Sequence, residues 1–169
     1  MAFLLILLKK YDIISYKMKR KNVKERKQII MRIWHYKLIP YLPRQQLLGQ
    51  HRELCALRGK GWGKKHATVD YVFTHPTEWL VVYHHLIMDE MEKRGYHPDH
   101  AWDNANWRGS TLGEQKGWAN QDIVNDIYCI IQPENWIYPE HNDEYLKECI
   151  DNLRGKGVDV SEMEKLLNG

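Results

Sequence analysis

Residues 74–95 read THPTEWLVVYHHLIMDEMEKRG, and this stretch decides the fold. Trp79, Leu80, Tyr83, Leu86, Ile87 and Met91 recur at the 3.6-residue spacing that gathers side chains on one helical face. Thr74 to Pro76 supplies a start signal, and Lys93-Arg94-Gly95 supplies cations and a glycine for the final turn. The stripe is apolar enough to be core, so no cofactor role is assigned to it.

Upstream of this helix the pattern turns helical from Leu42, with Pro43 suited to a first turn. Leu47, Leu48, Leu54, Cys55 and Arg58 fall near one side, and Gln45, Gly49, Arg52, Glu53 and Ala56 fall on the other. The small residues Gly49 and Ala56 would leave Arg52 and Glu53 open to a ligand. A mid-helix glycine costs about 1 kcal/mol relative to alanine, so close approach of a ligand is one reason to keep it. The run Val69–Phe73 between the two helices suits a short extended stretch.

Downstream, residues 96–118 are rich in Trp, Asn, Asp and Gly, including Trp102, Trp107 and Trp118, and read as an ordered loop. Further helices are expected at Asn120–Ile131, at Asn142–Arg154 before Gly155, and at a short segment opened by a capping box from Ser161 to Glu164. The expected class is all-α: a compact, single-domain helical protein with irregular Trp-rich connections.

With 169 residues and 43% apolar content, the chain can bury one self-sufficient core. Cys55, Cys129 and Cys149 form neither a CxxC pair nor a compact framework and read as reduced core thiols. The apolar run Ala2–Leu8 is too short to span a bilayer and is followed, not preceded, by Lys9 and Lys10. No membrane segment follows, and the cytoplasm and a monomer are the expectations.

Charge divides the chain. Residues 1–30 hold nine Lys/Arg and two acids, residues 31–65 hold eight against the single acid Glu53, and residues 66–169 hold eight against nineteen. The first thirty residues, a charge block without an apolar stripe, read as a basic tail or as a start taken too early. Residues 31–169 read as one domain, with an acidic part from residue 99 onward. A basic front around one carboxylate suits a polyanion, with a purpose for that carboxylate. The loop Arg58-Gly59-Lys60-Gly61-Trp62-Gly63-Lys64-Lys65 has the composition of a phosphate contact, and its glycine spacing is not that of a nucleotide P-loop. Candidate polyanion contacts are therefore Arg52, Arg58, Lys60, Trp62, Lys64 and Lys65.

Other chemistries find less support. No GxSxG elbow and no GxGxxG after a strand are present, so acyl transfer and nucleotide cofactors are not expected. His84, His85, Asp89, Glu90, His97 and His100 crowd around the central helix, but HExxH order is absent, and no metal is expected. A metal-dependent nuclease acting through these histidines, and a non-catalytic nucleic-acid-binding protein, are the rival readings.

From Met31 to about Pro98 the chain resembles the pyrimidine-dimer DNA glycosylases of the phage endonuclease V type. The resemblance lies in Met31-Arg32-Ile33, in Gln45 and Leu47, in Arg52-Glu53-Leu54, and in the ending Lys93-Arg94-Gly95-Tyr96. The distance from Met31 to Glu53 is that between initiator and catalytic glutamate in the family. The resemblance implies an all-α, cofactor-free DNA repair enzyme that binds damaged double-stranded DNA, extrudes a nucleotide and attacks C1′ with an N-terminal α-amine. Glu53 would stabilise the cationic sugar and move protons through β-elimination, with Arg52 holding phosphate. Arg32 occupies the family's nucleophile position. Methionine is normally retained before arginine, so the amine would be that of Met31, or the lyase step would be absent. Gln46 stands where the family places a histidine near the flipped site.

Overall fold

The computed structural model describes residues 32–61, 69–131 and 138–168, all within the unit Met31–Gly169. Their architecture is all-α: α1 (Arg44–Arg58), α2 (Thr77–Lys93), α3 (Gln121–Ile130), α4 (Asp143–Gly155) and α5 (Ser161–Glu164). Short 3-10 helices at Tyr36–Tyr41, Asp70–Phe73, His100–Asp103 and Lys165–Leu167 complete the order. No strand is formed among the described residues, and Trp107 and Glu114 make an isolated antiparallel bridge.

Helix α2 is central because it is apolar on more than one side. Leu80, Tyr83, Ile87 and Met91 join the main core with Leu47, Leu54 and Leu57 of α1 and Leu146, Ile150 and Leu153 of α4. Val81 and Val82 join a second, smaller cluster with Ala105, Ala119 and Val124 of the Trp-rich connection and α3. The helix begins one residue past the expected start signal, with Pro76 as its N-cap. At its other end Arg94 donates to Glu90 Oε1 (2.7 Å), Leu42 O (2.6 Å) and Pro40 O (2.8 Å), tying the last turn to carbonyls in and just past the Tyr36–Tyr41 3-10 helix.

Helix α1 starts after Pro43, which is its N-cap and not a first-turn residue. Its C-terminal end is closed by Arg108, whose guanidinium donates to Arg58 O (2.9 Å) and Gly59 O (3.0 Å). A side chain at Gly59 would meet Arg108 O at 3.2 Å and Cys55 O at 2.9 Å, which accounts for glycine there. In the same connection Gly109 takes φ +84° beneath the Trp102 ring, so the Trp-rich segment is ordered, as expected.

Helices α3 and α4 are set by their caps, as Asn120 accepts from Asp122 N (2.9 Å) and Asn142 from Tyr145 N (2.9 Å). Two local expectations are corrected. Val69–Phe73 is not extended: Asp70–Phe73 is a 3-10 turn whose Val72 is buried under the main core. The cap of α5 is not Ser161: the Asp159 carboxylate accepts from Ser161 N (3.0 Å) and Ser161 Oγ (2.7 Å), taking the place assigned to the serine.

Arg32 to His35 form an irregular segment that is buried along its whole length. Helix α4 grips one side, with Tyr145 Oη donating to Ile33 O and Glu148 pairing with Arg32 at 3.2 Å. His35 Nε2 donates to His141 O at 2.8 Å while His35 Nδ1 accepts from Lys37 N at 3.2 Å. Tyr36 N donates to His141 Nδ1, which leaves the His141 proton on Nε2 facing Tyr71 Oη at 2.9 Å. Among the described residues no helix is long and apolar enough to cross a membrane.

Candidate active site around Glu53

Four helical positions, Gln46, Gly49, Gln50 and Glu53, lie one turn apart on α1, and Gln50 falls on the side that meets the buried segment. The Trp34 N–H can only donate, so the atom of Gln50 it meets at 2.7 Å is Oε1. The Gln50 nitrogen then faces two acceptors, Arg32 O at 3.1 Å and Glu53 Oε2 at 2.9 Å. One amide group thereby joins the backbone at Arg32 to the Glu53 carboxylate. Tyr83 of α2, fully buried, donates to Trp34 O at 2.6 Å and holds the other end of the same segment.

Glu53 is half-buried. Burial pushes its carboxyl up to about 7, while Lys156 and then Arg52 pull it back down. A carboxyl titrating near neutrality can take or give a proton at working pH. Arg52 beside it is exposed, Lys60 at the end of α1 is exposed, and Gln46 is half-buried. A side chain at Gly49 would meet nothing within 4 Å, so the face between these residues is open.

Arg58 does not belong to this face. It is 0% exposed, and its guanidinium donates to Trp102 O (2.9 Å), Asn104 O (2.8 Å) and His84 Nδ1 (3.0 Å). It lies over the Trp102 ring, so a cation expected on phosphate instead fastens α1 to the Trp-rich connection. The Arg32 side chain is likewise buried, between Glu148 and Cys149 of α4. What Arg32 brings to Glu53 is its backbone. Met31, Trp62, Lys64 and Lys65 lie outside the described residues.

The histidine expectations also need revision. Among the described residues, the donors close enough to share a metal are His51, Cys55 and His84, whose ligand atoms lie within 4.8 Å of one another. Their hydrogen bonds run as a chain. Arg58 always donates, so His84 Nδ1 accepts and the His84 proton sits on Nε2, 2.9 Å from His51 Nδ1. His51 then turns its own Nε2–H toward Cys55 Sγ at 3.7 Å. Ligating His84 Nε2 would require Nδ1 to carry the proton and oppose a guanidinium, the reverse of the acceptor that usually supports a metal-bound imidazole. Burial raises the Cys55 thiol to about 11, which opposes a reactive thiolate. Cys129, expected in the core, is exposed.

His85, Asp89 and His100 of the expected cluster line a different place, a cavity of about 400 Å³ shared with Glu92, Asp103 and Tyr128. Its carboxylates make it a poor host for phosphate. The important residue that composition did not single out is Gln50. Its position, three after Leu47 and four before Leu54, placed an amide on the core stripe, which was the available signal.

Residues 31–104 match the model of one protein family, described as pyrimidine dimer DNA glycosylase. No curated protein and no solved structure matches the chain. Gln46, Gln50, Arg52, Glu53 and Tyr83 all fall inside the matched span, and Lys156 falls outside it.

Proposed function

With residues 31–104 belonging to the pyrimidine dimer DNA glycosylase family, we propose that this chain excises damaged pyrimidines from double-stranded DNA with Glu53 as its catalytic carboxylate. The observation that carries this is the shared Gln50 amide, bonded at once to Arg32 O and Glu53 Oε2. It holds the carboxylate beside the backbone of Arg32, the residue next to the family's initiating methionine.

In the proposed reaction a nucleotide leaves the stack and its sugar faces Glu53. The bond from C1′ to the base nitrogen breaks, the electron pair goes to the base, which in a cyclobutane dimer stays joined to its neighbouring pyrimidine, and the ionised carboxylate stabilises the cationic sugar left behind. When the chain begins at Met31, the α-amine supplies the nucleophile. Its nitrogen bonds C1′, the ring C1′–O4′ bond opens to give an imine, and Glu53 carries protons between nitrogen, ring oxygen and the C2′ position. Loss of the C2′ proton then expels the 3′ phosphate. An α-amine titrates near 7.7 to 8.0 in its unperturbed state and so is partly neutral at pH 7. Arg52, exposed beside the carboxylate, is assigned to phosphate, with Lys60 beyond it. Gln46 donates or accepts near the lesion and cannot titrate.

Borohydride trapping on duplex DNA carrying one cyclobutane dimer or one abasic site tests the scheme. Protein begun at Met31 is expected to give a covalent adduct mapping to its N-terminal peptide, and the full chain is expected to give none there. Alkali-labile sites at the dimer without an adduct from either form would keep the glycosylase and remove the lyase. DNA binding without alkali-labile sites or adduct would make this a binding protein of the same fold.

A further inference from the structure

Three successive carbonyls of the buried segment at residues 32–35 are taken by three different helices. Arg32 O accepts from Gln50 of α1 at 3.1 Å, Ile33 O accepts from Tyr145 of α4, and Trp34 O accepts from Tyr83 of α2 at 2.6 Å. The segment belongs to no helix and no strand, so no backbone ladder sets its position. Side chains from the three helices set it instead. Helices α1 and α2 lie inside the family-matched span, and α4 lies wholly outside it.

Arg32 is held at both ends. Its carbonyl meets the Gln50 nitrogen, which also donates to Glu53 Oε2 at 2.9 Å. Its guanidinium meets α4, with Nη2 3.2 Å from Glu148 Oε1 and Nη1 3.8 Å from Cys149 Sγ. The same group lies 5.8 Å from the Tyr145 ring centre and 5.9 Å from that of Trp34. The Arg32 side chain is only 9% exposed, so without its carboxylate the cation would be costly to keep in place and would turn outward. Tyr145 and Glu148 are one turn apart on α4, so one helical face holds both the Ile33 carbonyl and the Arg32 cation. An unbroken chain of contacts thus runs from α4 to the carboxylate, from Glu148 to Arg32, from Arg32 to Gln50 and from Gln50 to Glu53.

We propose that Tyr145 and Glu148 are positioning residues for the Glu53 site, fixing the backbone that aims the Gln50 amide at the carboxylate. The inference deepens the reading of Glu53 as the catalytic carboxylate and rests on it. Gln50 has two N–H bonds to give, one to Arg32 O and one to Glu53, and its oxygen accepts from Trp34 N at 2.7 Å. The amide is therefore bonded to the residues on either side of Ile33, and Tyr145 holds Ile33 itself. Release of Ile33 O or of the Arg32 guanidinium lets this stretch of backbone shift, and the Gln50 nitrogen turns with it away from Glu53.

Nitrogen-15 NMR of the Gln50 side-chain amide in the full chain reads the coupling without requiring activity. Both Gln50 amide proton resonances are expected to move in Tyr145→Phe and in Glu148→Leu. In Glu148→Gln, which keeps an acceptor for the guanidinium, they should stay near those of the unaltered chain. Arg154→Ala on the same helix, whose partners are Asp151 and Glu164, should leave them in place. Single-turnover formation of alkali-labile sites at a cyclobutane dimer should fall roughly 10- to 100-fold in Tyr145→Phe and Glu148→Leu, as for a reacting group misplaced by about 1 Å, with DNA affinity unchanged. Gln50 resonances that stay in place in folded Tyr145→Phe and Glu148→Leu overturn the inference. Resonances that move while cleavage keeps the unaltered rate leave the coupling standing and refute Glu53 as the catalytic carboxylate instead.

Discussion

Replacing Gly49 by alanine separates stability from binding on the open face of α1. Gly49 is the sixth residue of a 15-residue helix, and it is not among the glycines with positive φ. A Cβ there would meet nothing within 4 Å, so the methyl neither clashes nor packs. The remaining effect is backbone entropy, a gain of about 1 kcal/mol, or roughly 2–4 °C in melting temperature for a domain of this size. If DNA approaches this face, the same methyl overpacks the interface at roughly 1–3 kcal/mol, weakening binding by about 5- to 150-fold. Calorimetry and fluorescence anisotropy on a dimer-containing duplex measure the two arms. A melting temperature that falls would mean the face is filled in the folded protein. A temperature that rises with unchanged affinity would place DNA elsewhere and refute the reasoning.

Other outcomes follow from buried groups. Burial lowers His35 to about 4 and holds His84 and His141 well below the ordinary range, so the unfolded chain binds protons first and stability falls as pH drops through about 6.5. His35 alone accounts for about 3 kcal/mol of that loss between pH 6.5 and 4. Glu53 acts with the opposite sign, because a carboxyl raised in the fold gains stability as pH falls from its folded pKa toward the unfolded one. The acid loss should therefore be steeper in Glu53→Gln, and a urea midpoint independent of pH in that variant would contradict the assignment. Arg58→Ala leaves two carbonyls and His84 Nδ1 without their donor and should cost roughly 3–5 kcal/mol in denaturant melts. Arg52→Ala should instead leave stability alone and reduce the salt dependence of DNA binding by about one phosphate contact; the opposite pattern would return Arg58 to the DNA face. Dialysis against zinc should leave no stoichiometric metal at His51, Cys55 and His84, and one retained zinc per chain would show that the hydrogen-bond chain yields to ligation.

Much of the helical framework was legible because several local signals agreed. Residues 77–93 combine a sustained apolar period with punctuation at both ends, and Asn120 and Asn142 mark the starts of α3 and α4 through their side chains, whereas the expected stop at Gly155 lies inside α4, which Lys156 caps and Gly157 turns at φ +79°. The Arg52–Glu53 pair was legible as the lone acid among cations. Arg58 shows where such counting stops: its spacing placed it on the apolar side of α1, while its charge placed it on phosphate. Only the fold supplies the Trp102 and Asn104 carbonyls that take it into the core. Val69–Phe73 has the β-branched and aromatic side chains of a strand, yet tertiary packing of Val72 holds a 3-10 turn instead.

Single-turnover cleavage of the glycosidic bond by Glu53→Gln on a duplex with one cyclobutane dimer, read as alkali-labile sites with affinity measured on the same preparation, tests the central claim most directly. The expected result is intact DNA binding with glycosidic cleavage and strand scission lost. Cleavage at the rate of the unaltered chain would contradict the assignment of Glu53 as the catalytic carboxylate.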